Sequence, residues 1–240
     1  MTGYLGNKGV MGAYQAIIAQ MPPHDTYIET HLGSGVVMRR KPAASARSIG
    51  LEIDPDTIAR FGPIDGAEII NTDCVAFLET FDFQAAGRVV LYADPPYLLS
   101  TRTSPGSRYR FDYVEADHLR LLAVLKSLPA NVSVIISGYP SDLYAAELAG
   151  WRTIEFQAST RGGPRTEKLW MNFEAGAVHW AAFAGVNFTD RQRIKRKAAR
   201  WAKAFGELSE GERLAVLAAI LASGSTLEPP ALLSIDHSRR

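Results

Sequence analysis

Short apolar runs alternate with amphipathic stretches over the first 170 or so residues of the chain. The apolar runs have the length and the β-branched content of strands, whereas the stretches between them carry apolar residues at helical spacing. The predicted strands are TYIET, RSIGLEID, AEIINTD, RVVLYAD and NVSVIISG, followed by WRTIEFQAS and TEKLWMNF around an RGGPR turn. The predicted helices are residues 9–20, VVMRRK, PDTIARF, VAFLETF, EADHLRLLAVLKSL and SDLYAAELAG. This alternation predicts an α/β fold with an open, mostly parallel sheet and an antiparallel C-terminal hairpin.

Polar and glycine residues follow the predicted strands at the points where they end. The turn HLGSG follows the first strand, Glu52 and Asp54 the second, Asp73 the third and Asp94 the fourth. In open parallel sheets, ligands bind at the carboxyl ends of the strands. The pattern therefore predicts a binding site at this edge of the sheet.

The spacing of the first three strand ends is typical of a nucleoside site. Glu52 follows Gly35 by 17 positions, which suits a carboxylate that accepts hydrogen bonds from both ribose hydroxyls, although a solvated acid at a turn is the alternative. Asp73 either accepts a hydrogen bond from an adenine amino group or caps the next helix. The chain has neither a GxGxxG nor a GxxxxGK[ST] pattern. A nucleoside without a pyrophosphate, such as S-adenosylmethionine, is therefore favoured over NAD or ATP.

The fourth strand stops abruptly at DPPY. Pro95 and Pro96 end the strand because each lacks an N–H and has a fixed φ. They direct the Asp94 side chain and the Pro95 carbonyl outward, and these two acceptors match the two N–H donors of an exocyclic amine. Tyr97 offers a face on which a base can stack, a contact worth about 1–3 kcal/mol. The tetrapeptide predicts a site that reads one base flipped out of a duplex, the alternative being a proline-capped strand end without a ligand.

Several motifs in this order resemble the Dam-like (α-group, class D12) DNA adenine-N6 methyltransferases and their compact phage relatives. The resemblance covers about residues 3–173. DPPY resembles the catalytic motif of the family, YLGNK its N-terminal cofactor-contacting element, and IETHLGSG its glycine turn. LEID places Glu52 at the position of the ribose-binding acid, and NTDC places Asp73 and Cys74 where the adenine of the cofactor is held.

The resemblance implies a Rossmann-like S-adenosylmethionine-dependent methyltransferase fold. It implies transfer of a methyl group from S-adenosylmethionine to the exocyclic amine of a flipped-out adenine in double-stranded DNA. The implied catalytic residues are Asp94, Pro95, Pro96 and Tyr97. The implied cofactor-binding residues are Tyr4, Lys8, His31, Gly33, Ser34, Gly35, Glu52, Ile53, Asp73, Cys74 and Asp94.

The sequence departs from the family pattern at three places. Asn7 replaces the second glycine of the N-terminal element, and Thr30 and His31 stand where proline and phenylalanine are usual. His31 either hydrogen-bonds the cofactor or replaces an apolar contact. Glu52 and Asp94 are only 42 positions apart, which leaves no room for the large target-recognition domain that the family inserts there. The expected specificity is therefore a very short sequence or almost none.

Charge is concentrated near the C-terminus of a chain whose net charge is only +1. Between Asp190 and Lys203 there are seven basic residues and one acidic residue, which indicates a local contact with a polyanion. We expect a catalytic domain over residues 1–187, a basic helical hairpin over 188–223 and a disordered tail over 224–240. The hairpin is predicted to bind the DNA backbone, the alternative being an arm that packs on the catalytic domain or dimerises. Candidate DNA contacts are Arg102, Arg108, Arg110, Arg161, Arg165, Arg193, Lys195, Arg196, Lys197 and Arg200.

The amino-acid composition limits the structural class of the protein and the cellular compartment in which we expect it. With 240 residues, of which 47% are hydrophobic, the chain can bury a full core. The single cysteine excludes an intramolecular disulfide and a cysteine-based metal cluster. No secretory start is recognised. We expect a cytoplasmic protein of a bacterial cell or its phage, without a metal, as a monomer or weak dimer. The functional alternatives are an RNA adenine or DNA cytosine-N4 methyltransferase and a non-catalytic nucleic-acid-binding protein with a relic site.

Overall fold

The structure is a computed structural model that describes residues 8–9, 12–102, 110–160, 163–176 and 180–223. Tyr4, Arg108, Arg161 and the expected tail lie outside the described residues. The chain divides into two compact units, residues 1–177 and 178–240.

The strands of the first unit form one seven-stranded sheet. They are β1 (Thr26–Glu29), β2 (Arg47–Glu52), β3 (Glu68–Asn71), β4 (Val89–Ala93), β5 (Val132–Gly138), β6 (Arg152–Thr160) and β7 (Gly163–Met171). Their order across the sheet is β3-β2-β1-β4-β5-β7-β6. The first five strands are parallel, and β7 pairs antiparallel with both β5 and β6. The expected Rossmann-like α/β sheet, mostly parallel with an antiparallel C-terminal hairpin, is confirmed.

The helices of the first unit begin and end close to their predicted limits. They are α1 (Ala13–Gln20), α2 (Val36–Arg40), α3 (Pro55–Phe61), α4 (Cys74–Thr80), α5 (Glu115–Ser127) and α6 (Asp142–Glu147). Asp54 caps α3 by accepting a hydrogen bond from the Asp56 backbone N–H at 3.1 Å, and Pro55 occupies the first helical position. The last strand differs from its prediction, because β7 already begins at Gly163, within the segment predicted as a turn.

The core explains why the central strands are uniformly apolar. All five residues of β4 are buried, because helices cover both faces of a parallel sheet. The amphipathic helix α5 buries Leu121, Leu122 and Leu125 in the same cluster as Leu91 and Ile136 of the sheet. This packing holds the carboxyl ends of the strands in fixed positions.

The second unit contains two helices in its described part, α7 (Phe188–Gly206) and α8 (Glu210–Ser223). The Asn187 side chain caps α7 by accepting a hydrogen bond from the Asp190 N–H at 2.9 Å. Trp201, Leu214 and Leu221 are 64%, 70% and 76% exposed, so the described residues leave these apolar side chains largely uncovered. In either unit, none of the described helices is long and apolar enough to cross a membrane.

Buried histidines make the stability of the fold depend on pH. Burial lowers the pKa of His24 and His118 to about 4 and that of His31 to about 3, below the value of 6.5 for an unperturbed histidine. At pH values between the folded and the unfolded pKa of each histidine, the unfolded chain therefore binds more protons than the folded chain. The free energy of unfolding decreases as the pH falls through this range. Burial raises the pKa of Glu29 to about 8, which acts in the opposite direction, but the three histidines outweigh it. We therefore expect the free energy of unfolding to decrease by about 2 kcal/mol or more between pH 7 and pH 4.5, measured by urea denaturation.

The variant His118→Gln isolates one of these histidines. The glutamine side chain can still hydrogen-bond the Tyr144 hydroxyl, which lies 2.9 Å from His118 Nδ1. We expect a shallower pH dependence in this variant than in the wild type. An unchanged slope would show that His118 does not contribute.

Candidate active site

The glycine turn and DPPY lie side by side at the crevice of the sheet. β1 and β4 are adjacent parallel strands with Glu29 opposite Tyr92, and the strand order reverses between them. The Thr30 N–H donates to the Tyr92 carbonyl at 3.0 Å, which joins the two strand ends. Such a switch point is where ligands bind in open α/β sheets.

The glycine turn fixes the carboxylate of Glu52. Gly33 and Gly35 have φ values of 52° and 64°, a left-handed conformation that favours glycine, and a Cβ on Gly35 would lie 2.5 Å from Ile64 Cδ1. The backbone N–H groups of Gly33 and Asp54 donate to Glu52 Oε2 and Oε1 at 2.8 and 2.9 Å. Burial raises the pKa of Glu52, which is 8% exposed. Each oxygen of the oriented carboxylate retains lone-pair capacity for a further donor, such as a hydroxyl.

Ile53 follows Glu52 at the same strand end. Its side chain is 39% exposed, which is high for an isoleucine beside a buried strand. It therefore offers an apolar surface next to the fixed carboxylate. The contact of Ile53 with a cofactor stays a prediction.

Asp73 is placed as a helix cap. Its Oδ1 accepts a hydrogen bond from the Ala76 N–H at 2.9 Å and lies 3.3 Å from Arg120 Nη2. This arrangement accounts for an acid at the start of α4 without any ligand. The contact of Asp73 with the adenine of a cofactor stays a prediction.

His31 belongs to a partly buried hydrogen-bonded group. Its Nδ1 lies 2.8 Å from Thr30 Oγ1, and its Nε2 lies 3.0 Å from the Tyr113 hydroxyl and 3.6 Å from Cys74 Sγ. The low pKa of His31 keeps the ring neutral, and burial raises the pKa of Cys74 to about 11, which keeps it a thiol. His31 thus ties the turn after β1 to Tyr113, ahead of α5. Its contact with a cofactor stays a prediction, as does that of Cys74.

The carboxylate of Asp94 is oriented by two donors. Ser137 Oγ, at the end of β5, and Lys8 Nζ each donate to Asp94 Oδ1 at 2.8 Å. Lys8 also donates to the Tyr97 hydroxyl at 2.6 Å. The Tyr92 hydroxyl lies 2.9 Å from Ser137 Oγ and extends the network into the core. The acid, the following prolines and the aromatic ring are therefore held together at the end of β4.

Lys8 lies between two carboxylates. Its Nζ is 2.8 Å from Asp94 Oδ1 and 3.7 Å from Glu167 Oε2, and the residue is 6% exposed. Burial alone would lower the pKa of Lys8, but the attraction of Asp94 and Glu167 outweighs it and raises the pKa well above its ordinary value. The group is therefore a permanent ammonium. Lys8 was predicted as a site residue, whereas Ser137 and Glu167 were not.

A cavity of about 620 Å³ is lined by Leu98, Tyr139 and Arg165, and neither Asp94 nor Tyr97 is among its lining residues. The rings of Tyr97 and Tyr139 meet edge to face with centroids 4.5 Å apart, and the Arg165 guanidinium lies 5.5 Å from the centroid of Tyr139. The lining also includes the hydroxyl residues Ser141 and Thr166. An aromatic and polar lining of this kind suits a planar ring with hydrogen-bonding edges.

The other described loop arginines predicted to contact DNA are already paired with acids. Arg102, whose side chain is 7% exposed, bonds both oxygens of Asp112 at 2.6 and 2.5 Å and donates to the Tyr97 carbonyl at 2.7 Å. It fastens the loop after DPPY, and this placement gives no support to a DNA contact. Arg110 is 62% exposed and lies 2.6 Å from Asp56 Oδ2, so it is accessible at the surface.

Comparisons with known proteins find likeness in fold only. No protein-family model matches the chain, and no curated protein matches it in sequence. An rRNA methylase from Streptococcus thermophilus superposes with a TM-score of 0.44 and 11% identity over 66% of this chain and 92% of that one. An SAM-dependent methyltransferase from Agrobacterium tumefaciens gives 0.39 and 12%, over 66% of this chain and 58% of that one. A type I restriction-modification methyltransferase subunit from Streptococcus thermophilus gives 0.42 and 15%, over 69% and 44%.

Proposed function

We propose that the protein is an S-adenosylmethionine-dependent DNA adenine-N6 methyltransferase. The observation that carries the proposal is the arrangement at Asp94. A carboxylate fixed by Lys8 and Ser137 stands at the end of β4, and Lys8 also holds the hydroxyl of the aromatic residue Tyr97. A fixed carboxylate can accept a hydrogen bond from an exocyclic amine, and the aromatic ring can stack on the planar base that carries the amine.

The residues at the neighbouring strand ends fit the cofactor. The fixed carboxylate of Glu52 would accept hydrogen bonds from the ribose hydroxyls, and Ile53 would pack against the adenine ring. The neutral His31 and the thiol of Cys74 add no charge to this region.

Methyl transfer requires that the protein positions the base for attack and stabilises the positive charge that develops on the amine nitrogen. S-adenosylmethionine, when bound, would supply an electrophilic methyl group to the amine nitrogen, and the electron pair of the broken bond would stay on sulfur. Asp94 and the Pro95 carbonyl accept the two N–H groups of the amine and stabilise the positive charge that develops on nitrogen. Tyr97 holds the plane of the base so that attack is in line. The methylated nitrogen then releases one proton to solvent, so a dedicated base is unnecessary.

One set of parallel reactions separates the candidate functions. The protein is incubated with methyl-labelled S-adenosylmethionine and with duplex DNA, single-stranded DNA or RNA of one sequence. We expect label in DNA, on adenine. Label only in RNA or on cytosine would favour the corresponding methyltransferase alternative. A folded protein that bound no S-adenosylmethionine would favour the non-catalytic alternative.

Relaxed sequence specificity forms part of the proposal. The chain between β2 and β4 is taken up by α3, β3 and α4, and all of its residues are described, so the first unit carries no large insert at this point. Methylation mapped over a whole genome should reveal a very short target or almost none. A strict palindrome of four or more bases would contradict this expectation.

The basic residues of α7 are proposed to bind the DNA backbone. Lys195, Arg196, Lys197 and Arg200 are all exposed. Changing the four to glutamine in the full chain should reduce the steepness of log K against log salt concentration by up to about 3.6, because each phosphate contact contributes about 0.9. Arg47→Gln, an exposed arginine at the start of β2 in the first unit, is the control that should leave the slope unchanged. An unchanged slope in the fourfold variant would favour packing or self-association.

A further inference from the structure

Glu167 is a buried acid that the network around Asp94 does not satisfy. It lies within β7 opposite Phe156, and its side chain is 7% exposed. Its Oε2 is buried and has no hydrogen-bond partner among the described residues. A buried carboxylate oxygen without a hydrogen bond costs free energy, so the stability of the fold does not explain an acid at this position. The nearest positive charge is the Lys8 ammonium, 3.7 Å away.

The charges at the site explain what this acid can do. Lys8 and Asp94 form a contact pair at 2.8 Å whose charges cancel. A neutral pair would stabilise a developing positive charge poorly, because the ammonium of Lys8 repels it at close range. The carboxylate of Glu167 leaves the three groups together with one negative charge. In a partly water-excluded site, this difference has a large effect.

We propose, on the basis of the methyl transfer proposed above, that Glu167 is a positioning residue whose negative charge offsets Lys8 and preserves the attraction of Asp94 for the reacting amine. The ammonium lies between the two carboxylates at 2.8 and 3.7 Å. As the amine donates to Asp94, Lys8 moves toward Glu167 Oε2, whose lone pairs accept it. Lys8 thereby orients Asp94 in the free protein without competing with the substrate.

The variant Glu167→Gln removes the charge and keeps the shape. We expect the single-turnover rate of methyl transfer at saturating substrates to fall roughly 10- to 100-fold, as for other groups that stabilise transition-state charge. The dissociation constants for S-adenosylmethionine and DNA should change by less than about twofold, because Glu167 acts on the reacting nitrogen.

The double variant Lys8→Met with Glu167→Gln separates a charge effect from structural damage. Removing both charges leaves Asp94 as the one charged group of the three, so this variant should be at least about threefold faster than Glu167→Gln alone. Structural damage from two substitutions would instead make it slower than either single variant. If Glu167→Gln fails to fold, the variants Glu167→Asp and Glu167→Asn replace it, because these two differ only in charge. Their methyl-transfer rates then compare a charged with a neutral side chain at this position.

Glu155→Gln is the matched control. Glu155 lies on the neighbouring strand β6 with a side chain 53% exposed, 3.5 Å from Lys168, and its variant should keep the wild-type rate. An active wild type with a wild-type rate in Glu167→Gln, or a double variant slower than both single variants, would overturn this inference and leave the methyltransferase function standing. A wild type that transfers no methyl group to any nucleic acid would overturn both.

Discussion

Replacing Asp94 by alanine is expected to lower the rate of methyl transfer by roughly 1000-fold or more, while the dissociation constant for S-adenosylmethionine changes by less than about threefold. The carboxylate is the charged acceptor at the end of β4, and in the proposed function it accepts a hydrogen bond from the nitrogen on which positive charge develops. Glu52 and the glycine turn belong to the neighbouring strand ends and are unaffected. The loss should therefore appear in kcat rather than in cofactor binding.

Calorimetric titration with S-adenosylmethionine and single-turnover kinetics measure the two quantities separately. The substitution leaves Lys8 with only Glu167 as an ionic partner, so circular dichroism should first show that the variant is folded. Asp65→Ala, an exposed acid in the loop before β3, is the control and should retain full activity. Turnover of Asp94→Ala near the wild-type rate would contradict the proposed catalytic role of DPPY.

The second large effect is expected at Glu52. Glu52→Ala should raise the dissociation constant for S-adenosylmethionine by at least about 100-fold, because in the proposed function two charge-assisted hydrogen bonds to ribose hydroxyls are lost at about 1.5–3 kcal/mol each. At saturating cofactor the rate should recover most of its wild-type value, since Glu52 does not face the reacting nitrogen.

Glu52→Gln tests whether the effect comes from the carboxylate or from the turn. The amide oxygen can still accept one of the two backbone hydrogen bonds that Glu52 receives from Gly33 and Asp54. We expect a loss of affinity smaller than that of Glu52→Ala. An unchanged affinity in both variants would indicate that the cofactor does not bind at this strand end.

The strands and the position of the site were predictable because their signals are local. Buried strands such as β4 appear as uninterrupted apolar runs, and a proline pair marks the end of a strand wherever the rest of the chain lies. Since parallel strands meet at one edge, the residues that follow them could be placed together from the sequence. The predicted element order and the antiparallel hairpin were confirmed on this basis.

The network around Asp94 was not predictable in the same way, because its members are distant in sequence. Lys8 lies 86 positions and Ser137 43 positions from Asp94, and only the folded sheet brings them together. The sequence around Glu167 gives one local indication of its burial. Glu167 is in phase with Leu169 and Met171, which are buried residues of β7. An acid in phase with buried residues indicates either a partner or a function.

Local polar contacts also supplied partners for residues whose roles the sequence left open. Asp73 could be an adenine contact or a cap, and the first turn of α4 supplies the N–H that it caps. Arg102 was a candidate for DNA binding, but Asp112, ten positions farther on, provides a bidentate partner. Such choices depend on side-chain geometry that composition and spacing do not specify.

The most direct test of the central claim is to identify the methylated nucleoside. Unmethylated duplex DNA is incubated with the full-length protein and S-adenosylmethionine carrying a trideuterated methyl group, digested to nucleosides and analysed by mass spectrometry. The proposed function predicts N6-trideuteromethyl-deoxyadenosine, formed by the wild type and absent with Asp94→Ala. Label confined to deoxycytidine, or DNA that remains unlabelled although the protein binds the cofactor, would contradict it.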